Sequence, residues 1–197
     1  MIKNFIYALI ILSVSPFQCS NDENEYTNLT INTPNLVDVE NNQTVFSLNE
    51  YIIVNTHITN NQIVDKKQTI NVSDYVHSNE NKLSYWLYFY QKDDNGNYIA
   101  VNAKEMIAEN GDVYHSNLIY GASIINPFST TTDSYSSKIK FKMLETGTFY
   151  IGGGYYDGYT QDQRISISSS NEINEELLLT TSILNAKKNG LYEFKVE

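Results

Sequence analysis

Ser136-Ser-Lys-Ile-Lys-Phe-Lys-Met143 alternates charge and hydrocarbon without a break. Ile139, Phe141 and Met143 fall on one side of an extended backbone, and Lys138, Lys140 and Lys142 fall on the other. A period of two with this contrast describes a β-strand with one face in a core and one in water. Gly190-Leu-Tyr-Glu-Phe-Lys-Val-Glu197 repeats the design, with Tyr192, Phe194 and Val196 pointing in and Glu193 and Lys195 out. Thr44-Val-Phe-Ser47, Tyr51 to Ile58, Arg164-Ile-Ser-Ile-Ser168 and Glu176 to Ile183 also read as strands. Separated by Asn, Asp, Gly and Ser turns, these segments predict an all-β protein of roughly ten antiparallel strands, a β-sandwich or barrel. Helix is expected to be scarce, with Ala103 to Asn110 the one short candidate.

Turn chemistry places one hairpin. Leu83-Ser-Tyr-Trp-Leu-Tyr-Phe-Tyr90 is dense in β-formers, Asp93-Asp-Asn-Gly-Asn97 follows, and Tyr98-Ile-Ala-Val101 returns. Asn-Gly between two strand runs is a strong hairpin signal, with both turn residues expected at positive φ. The loop oxygens of Asp93, Asp94 and Asn95 lack the spacing of a calcium loop, and Asn102 stands where a closing Glu would be wanted. Leu144-Glu-Thr-Gly-Thr-Phe-Tyr150 resembles the corner that precedes strand F of immunoglobulin-like sandwiches, with Phe149 at the position of the corner tyrosine. That resemblance implies an immunoglobulin-like antiparallel β-sandwich.

The N-terminus carries a different message. Lys3 precedes the apolar run Phe5-Ile-Tyr-Ala-Leu-Ile-Ile-Leu12, the order of a secretory signal peptide. The run is too short for about 30 Å of hydrocarbon, which takes about 20 apolar residues. Cys19, the one cysteine of the chain, stands at the expected cleavage point. This arrangement resembles a bacterial lipoprotein signal, although Gln18 and Pro16 replace the usual small and aliphatic residues. Acylation of Cys19 also accounts for a lone thiol in an oxidising compartment. Ser20-Asn-Asp-Glu-Asn-Glu25 resembles the acidic export signal of Bacteroidetes surface lipoproteins, and the closing strand and overall layout are similar to uncharacterised members of that group. The resemblance implies a signal peptide over residues 1–18, an acidic tether over 19–27 and a single domain over 28–197. It also implies lipid anchoring in the outer membrane, facing the cell surface, with acyl chains supplying the attachment.

Charge and motif content narrow the function. Loss of residues 1–18 removes Lys3 and no acid, leaving a net charge one unit more negative than the −10 of the whole chain. A chain of that sign is not built to hold nucleic acid. His57, His77 and His115 are scattered, with no two at metal-ligand spacing. No nucleophile elbow or zinc-protease motif occurs. Gly152-Gly-Gly154 lacks the Gly-Lys-Ser/Thr of a phosphate loop and reads as a flexible strand end. No catalytic role, metal or cofactor is expected.

Aromatic content stands out, with 16 Tyr and one Trp. On the Leu83–Tyr90 strand, Leu83, Tyr85, Leu87 and Phe89 share one face, and Ser84, Trp86, Tyr88 and Tyr90 share the other. If the first face is core, Trp86, Tyr88 and Tyr90 form an aromatic row, and rings with an apolar body and a polar tip suit half-wet contacts. Gly154-Tyr-Tyr-Asp-Gly-Tyr159 would add a second cluster. The alternative for all three ring positions is plain core packing. Two readings follow: a non-catalytic surface lipoprotein with a binding or structural role toward an unknown partner, an envelope protein or a polymer, or a glycan-capturing lipoprotein of a polysaccharide-uptake system.

Overall fold

Residues that are apolar at every second position can bury one face only by pairing with neighbouring strands, and this chain does so nearly throughout. The computed structural model describes residues 29–64, 68–76, 81–115, 120–154, 162–169 and 177–197. Among them run sixteen strands: β1 (Leu29–Asn32), β2 (Val37–Val39), β3 (Val45–Phe46), β4 (Tyr51–Thr59), β5 (Asn61–Val64), β6 (Gln68–Asn71), β7 (Lys82–Lys92), β8 (Tyr98–Val101), β9 (Glu105–Asn110), β10 (Asp112–His115), β11 (Ala122–Ser129), β12 (Ser134–Lys142), β13 (Gly147–Gly152), β14 (Ile165–Ser169), β15 (Leu177–Thr181) and β16 (Tyr192–Val196). Two 3₁₀ turns, Glu40–Asn42 and Val72–Tyr75, are the helical pieces of the described residues. The fold is all-β, as the alternation predicts. The strands outnumber the roughly ten expected because short segments such as β1, β2, β3 and β10, with two to four residues each, are too brief to show a period.

Fourteen strands join in one curled sheet, and β5 and β6 form a separate hairpin. The eleven-residue β7 is its hub. Its first half pairs with β11 and β14, and its second half with β13 and β8. The turn from β11 into β12 carries the sheet over, and β12 then lies between β4 and β9. The pairs β1–β15 and β16–β3 are parallel, and the other strand pairs are antiparallel.

The curled sheet so formed encloses the main core. Phe89 of β7 meets Phe141 of β12 with ring centroids 4.9 Å apart. Phe149 of β13, at the corner-tyrosine position, is buried and lies near-parallel to Phe194 at 5.6 Å. Inward Ile139, Phe141 and Met143, and inward Tyr192, Phe194 and Val196, are all buried.

Three local expectations change. Ala103–Asn110 is no helix: Glu105–Asn110 is β9, paired with β12. Glu105 reaches Lys142 at 3.0 Å, and Glu109, the extra residue of a bulge opposite Lys138 and Ile139, contacts both Lys138 (3.5 Å) and Lys140. Cross-strand pairing of this kind overrides helix propensity, which is a weak prior. The β7–β8 hairpin forms in the expected place, but only Gly96 of the Asn-Gly pair takes positive φ, at 82°. The loop is longer than two residues. Gly96 N–H closes on Asp93 O at 2.9 Å, and Asp93 N–H bonds Asn97 O at 3.0 Å. Finally, the Gly152–Gly154 run marks a tight crossing. A Cβ on Gly153 would stand 2.3 Å from Ile165 Cα, and the Gly153 N–H donates to Gln163 O at 2.8 Å.

Candidate binding face

The inward side of β7 carries Leu83, Tyr85, Leu87 and Phe89, all buried. That fixes Ser84, Trp86, Tyr88 and Tyr90 on the outer side, as the alternation requires. The rings of Trp86 and Tyr88 are 6.2 Å apart and inclined by 22°, and those of Tyr88 and Tyr90 are 6.4 Å apart at 31°. The row continues edge-on through Tyr98 to Tyr150, at 6.3 and 5.0 Å.

Its members differ sharply in access to water. Trp86 is 37 % exposed, Tyr88 7 % and Tyr90 0 %. Tyr88 and Tyr90 belong with Tyr150 and Leu191 to a second, small core on the outer side of the sheet. The Tyr88 ring lies so close to Gly121 that a Cβ there would sit 2.8 Å from it. The Tyr90 hydroxyl donates to Gly154 O. Three coplanar surface rings are therefore not present; Trp86 is the surface ring of the row.

Trp86 has a partner that the sequence did not single out. Registers across three strands align Tyr114 of β10 with Ser123 of β11 and Ser123 with Trp86 of β7. Residues aligned this way share a face, so at about 4.8 Å per strand the two aromatic positions stand roughly 10 Å apart. Tyr114 is 59 % exposed, and Ser123, a small residue, holds the register position between the two aromatic residues. The next row runs Asp112, Ile125, Ser84, Ser168, Leu178 and Thr30 across six strands. The outer face thus carries the hydroxyls of Ser84, Ser168 and Thr30 beside the exposed Trp86 and Tyr114. The only signal for Tyr114 in the sequence was its alternation with Val113 in a four-residue strand.

At the other end of the same sheet face the chemistry turns polar. Tyr150 pairs in register with Tyr90 on one side and Glu193 on the other. Burial, then the negative charge of Glu193, pushes the Tyr150 hydroxyl up to about 12, so it keeps its proton at neutral pH. The Lys187 ammonium bonds Glu193 and holds that carboxyl below its ordinary value. Lys187 and Lys92 also lie 5.6 and 5.5 Å from the Tyr150 ring centroid. Beyond Glu193 opens a cleft of about 470 Å³ lined by Asn42, Thr44, Thr148, Asn185, Lys187 and Lys195, with Tyr192 and Phe194.

The remaining expected positions are quickly placed. His57 and His115 are exposed on separate strands. His77, the Tyr155–Tyr159 cluster, Cys19 with the leader, and the acidic tether lie outside the described residues. Among the described residues no three His, Cys, Asp or Glu side chains gather as a metal-binding group, and no helix is long and apolar enough to cross a membrane. No family model matches the chain, and no curated protein and no solved structure matches it.

Proposed function

We propose that this protein is a non-catalytic lipoprotein of the outer-membrane surface, held by acyl chains on Cys19, and that it captures a glycan on the outer sheet face at Trp86. The observation that carries the ligand class is the pairing of Trp86 and Tyr114 across Ser123 on a hydroxyl-bearing face. Pyranose rings present apolar C–H faces that lie against aromatic rings, and their hydroxyls bond neighbouring polar side chains. An exposed Trp and Tyr with a serine in register between them offer both kinds of contact. The leader, Cys19 and the acidic Ser20–Glu25 stretch support the location. A domain of net negative charge suits suspension from acyl chains, which need no basic patch to hold it.

Because the chain has one Trp, its fluorescence reports on the site directly. Titration with a panel of neutral oligosaccharides is expected to quench or shift the emission, and Tyr114→Ala is expected to weaken the response. Unchanged emission across the whole panel would remove the glycan reading and leave the face to a protein partner. Labelled palmitate is expected to enter the wild type and not Cys19→Ala; equal incorporation into both would overturn the anchor.

A further inference from the structure

We propose that the cleft over β16 is a second binding site, one that takes a carboxylated sugar such as a hexuronate. It lies on the side of β16 that faces away from the main core, so Glu193 and Lys195 rise from its floor while Phe194 points inward beneath them. Thr148 of β13 is the register partner of Lys195. Thr44 enters from the other side, its carbonyl accepting the Lys195 N–H at 2.8 Å. Asn42 and Asn185, 143 residues apart, are joined by a hydrogen bond from Asn185 Nδ2 to Asn42 Oδ1 of 2.8 Å. Both sit in the left-handed region, at φ 51° and 64°, which Asn tolerates better than most residues. The wall is therefore fixed by the fold from several distant segments.

Its chemistry selects the ligand. A space of about 470 Å³ is of the size that small-molecule sites have. Two lysines, Lys187 and Lys195, line it in a chain of net charge −10. Lys187 pairs with Glu193, and Lys195 with Glu197 at 3.0 Å. Each ammonium carries three donors, so donors are left over for an incoming acid. The amides of Asn42 and Asn185 and the hydroxyls of Thr44 and Thr148 suit the hydroxyls of a sugar. An apolar ligand would strip water from these groups without replacing their bonds. A doubly charged phosphate would meet the Glu193 carboxylate that lines the cleft more unfavourably than a singly charged carboxylate does. Neither Trp86 nor Tyr114 lines the cleft, so this site stands independently of the glycan reading of that face.

Amide NMR of the full chain tests it, with glucuronate, glucose, acetate and inorganic phosphate as probes at constant ionic strength. Glucuronate is expected to move the Lys195 backbone amide and the Asn42 and Asn185 side-chain amides, with about ten-fold tighter binding than any other probe. Lys187→Gln with Lys195→Gln is expected to weaken glucuronate by about ten-fold or more, and Trp86→Ala to leave it unchanged. Both lysines have side chains more than half exposed, at 55 % and 56 %, and the same spectra report whether the variant is folded. Glucose or acetate binding as tightly as glucuronate would overturn the proposal. So would phosphate binding more tightly, or a double variant that binds as the wild type does.

Discussion

The hydroxyls of Tyr85 and Thr56 lie 2.7 Å apart, joining β7 to β4 across the core of the curled sheet at positions where each residue is 2 % exposed. Neither group has water to turn to if the other is removed. Tyr85→Phe strands the buried Thr56 hydroxyl, which costs about 1–3 kcal/mol, whereas Thr56→Val is expected to cost less, because Ser137 also bonds the Tyr85 hydroxyl. The double variant removes both ends of the Tyr85–Thr56 bond and is expected to lose less than the two singles together. Urea unfolding of all four proteins measures this coupling. Strictly additive losses would mean that the two hydroxyls do not depend on each other.

Ser123 decides whether anything fits between Trp86 and Tyr114. It is half-buried and directly in register with both. Ser123→Tyr puts a β-favouring residue into the strand but fills the space between the two rings. Loss of oligosaccharide binding by about ten-fold or more is expected, with a melting temperature close to that of the wild type. Retained binding in a folded S123Y protein would place the ligand elsewhere.

Much of this arrangement was legible in the residues, for a physical reason. Alternation exposes its meaning wherever one face is oily and the other charged, so β12 and β16 could be read residue by residue. The same logic put Trp86, Tyr88 and Tyr90 together on the outer face of β7. It could not say that Tyr88 and Tyr90 are covered, because a second small core on the outer side of a sheet leaves no mark on the period of the strand beneath it. Nor could it find β9. Its Glu105-Met-Ile-Ala-Glu-Asn110 is good helix material, and it is a strand because Lys138, Lys140 and Lys142 offer partners to Glu105 and Glu109 across the sheet. Tyr114 and the cleft residues stayed hidden because they converge only through long-range pairing: Asn42 meets Asn185, and Thr148 meets Lys195.

Two glycines separate close packing from backbone conformation. Gly153 is wedged against the β14 backbone, where an added Cβ would approach Ile165 Cα to 2.3 Å and Arg164 O to 2.7 Å. Gly96 has nothing within 4 Å but holds φ at +82°. Gly153→Ala must push two strands apart and is expected to cost about 1–3 kcal/mol or more. Gly96→Ala meets only the penalty of a left-handed residue, about 1–2 kcal/mol. Chemical denaturation is expected to rank G153A as the less stable, and G96A is expected to leave Trp86 fluorescence unaltered. The reverse order would show that Gly153 is a bend and not a crossing.

Alkali probes the buried tyrosines. Burial is the leading cause that pushes Tyr135 and Tyr150 up to about 12 from an ordinary 10.0, and it raises Tyr85 further still. Between these values the unfolded chain has released protons that the folded chain retains, so stability falls as pH rises. The contribution is complete below pH 10 and disappears as the pH passes through the folded values. Urea midpoints are therefore expected to decline steadily above about pH 10, and part of the tyrosinate absorbance to appear only when the protein unfolds. Tyr150→Phe removes one of the raised groups and is expected to make the decline shallower. If every tyrosine ionises near its ordinary value in protein that is still folded, then neither Tyr85 in the main core nor Tyr150 on the outer face is shielded, and the second small core of Tyr88, Tyr90, Tyr150 and Leu191 does not exist in solution.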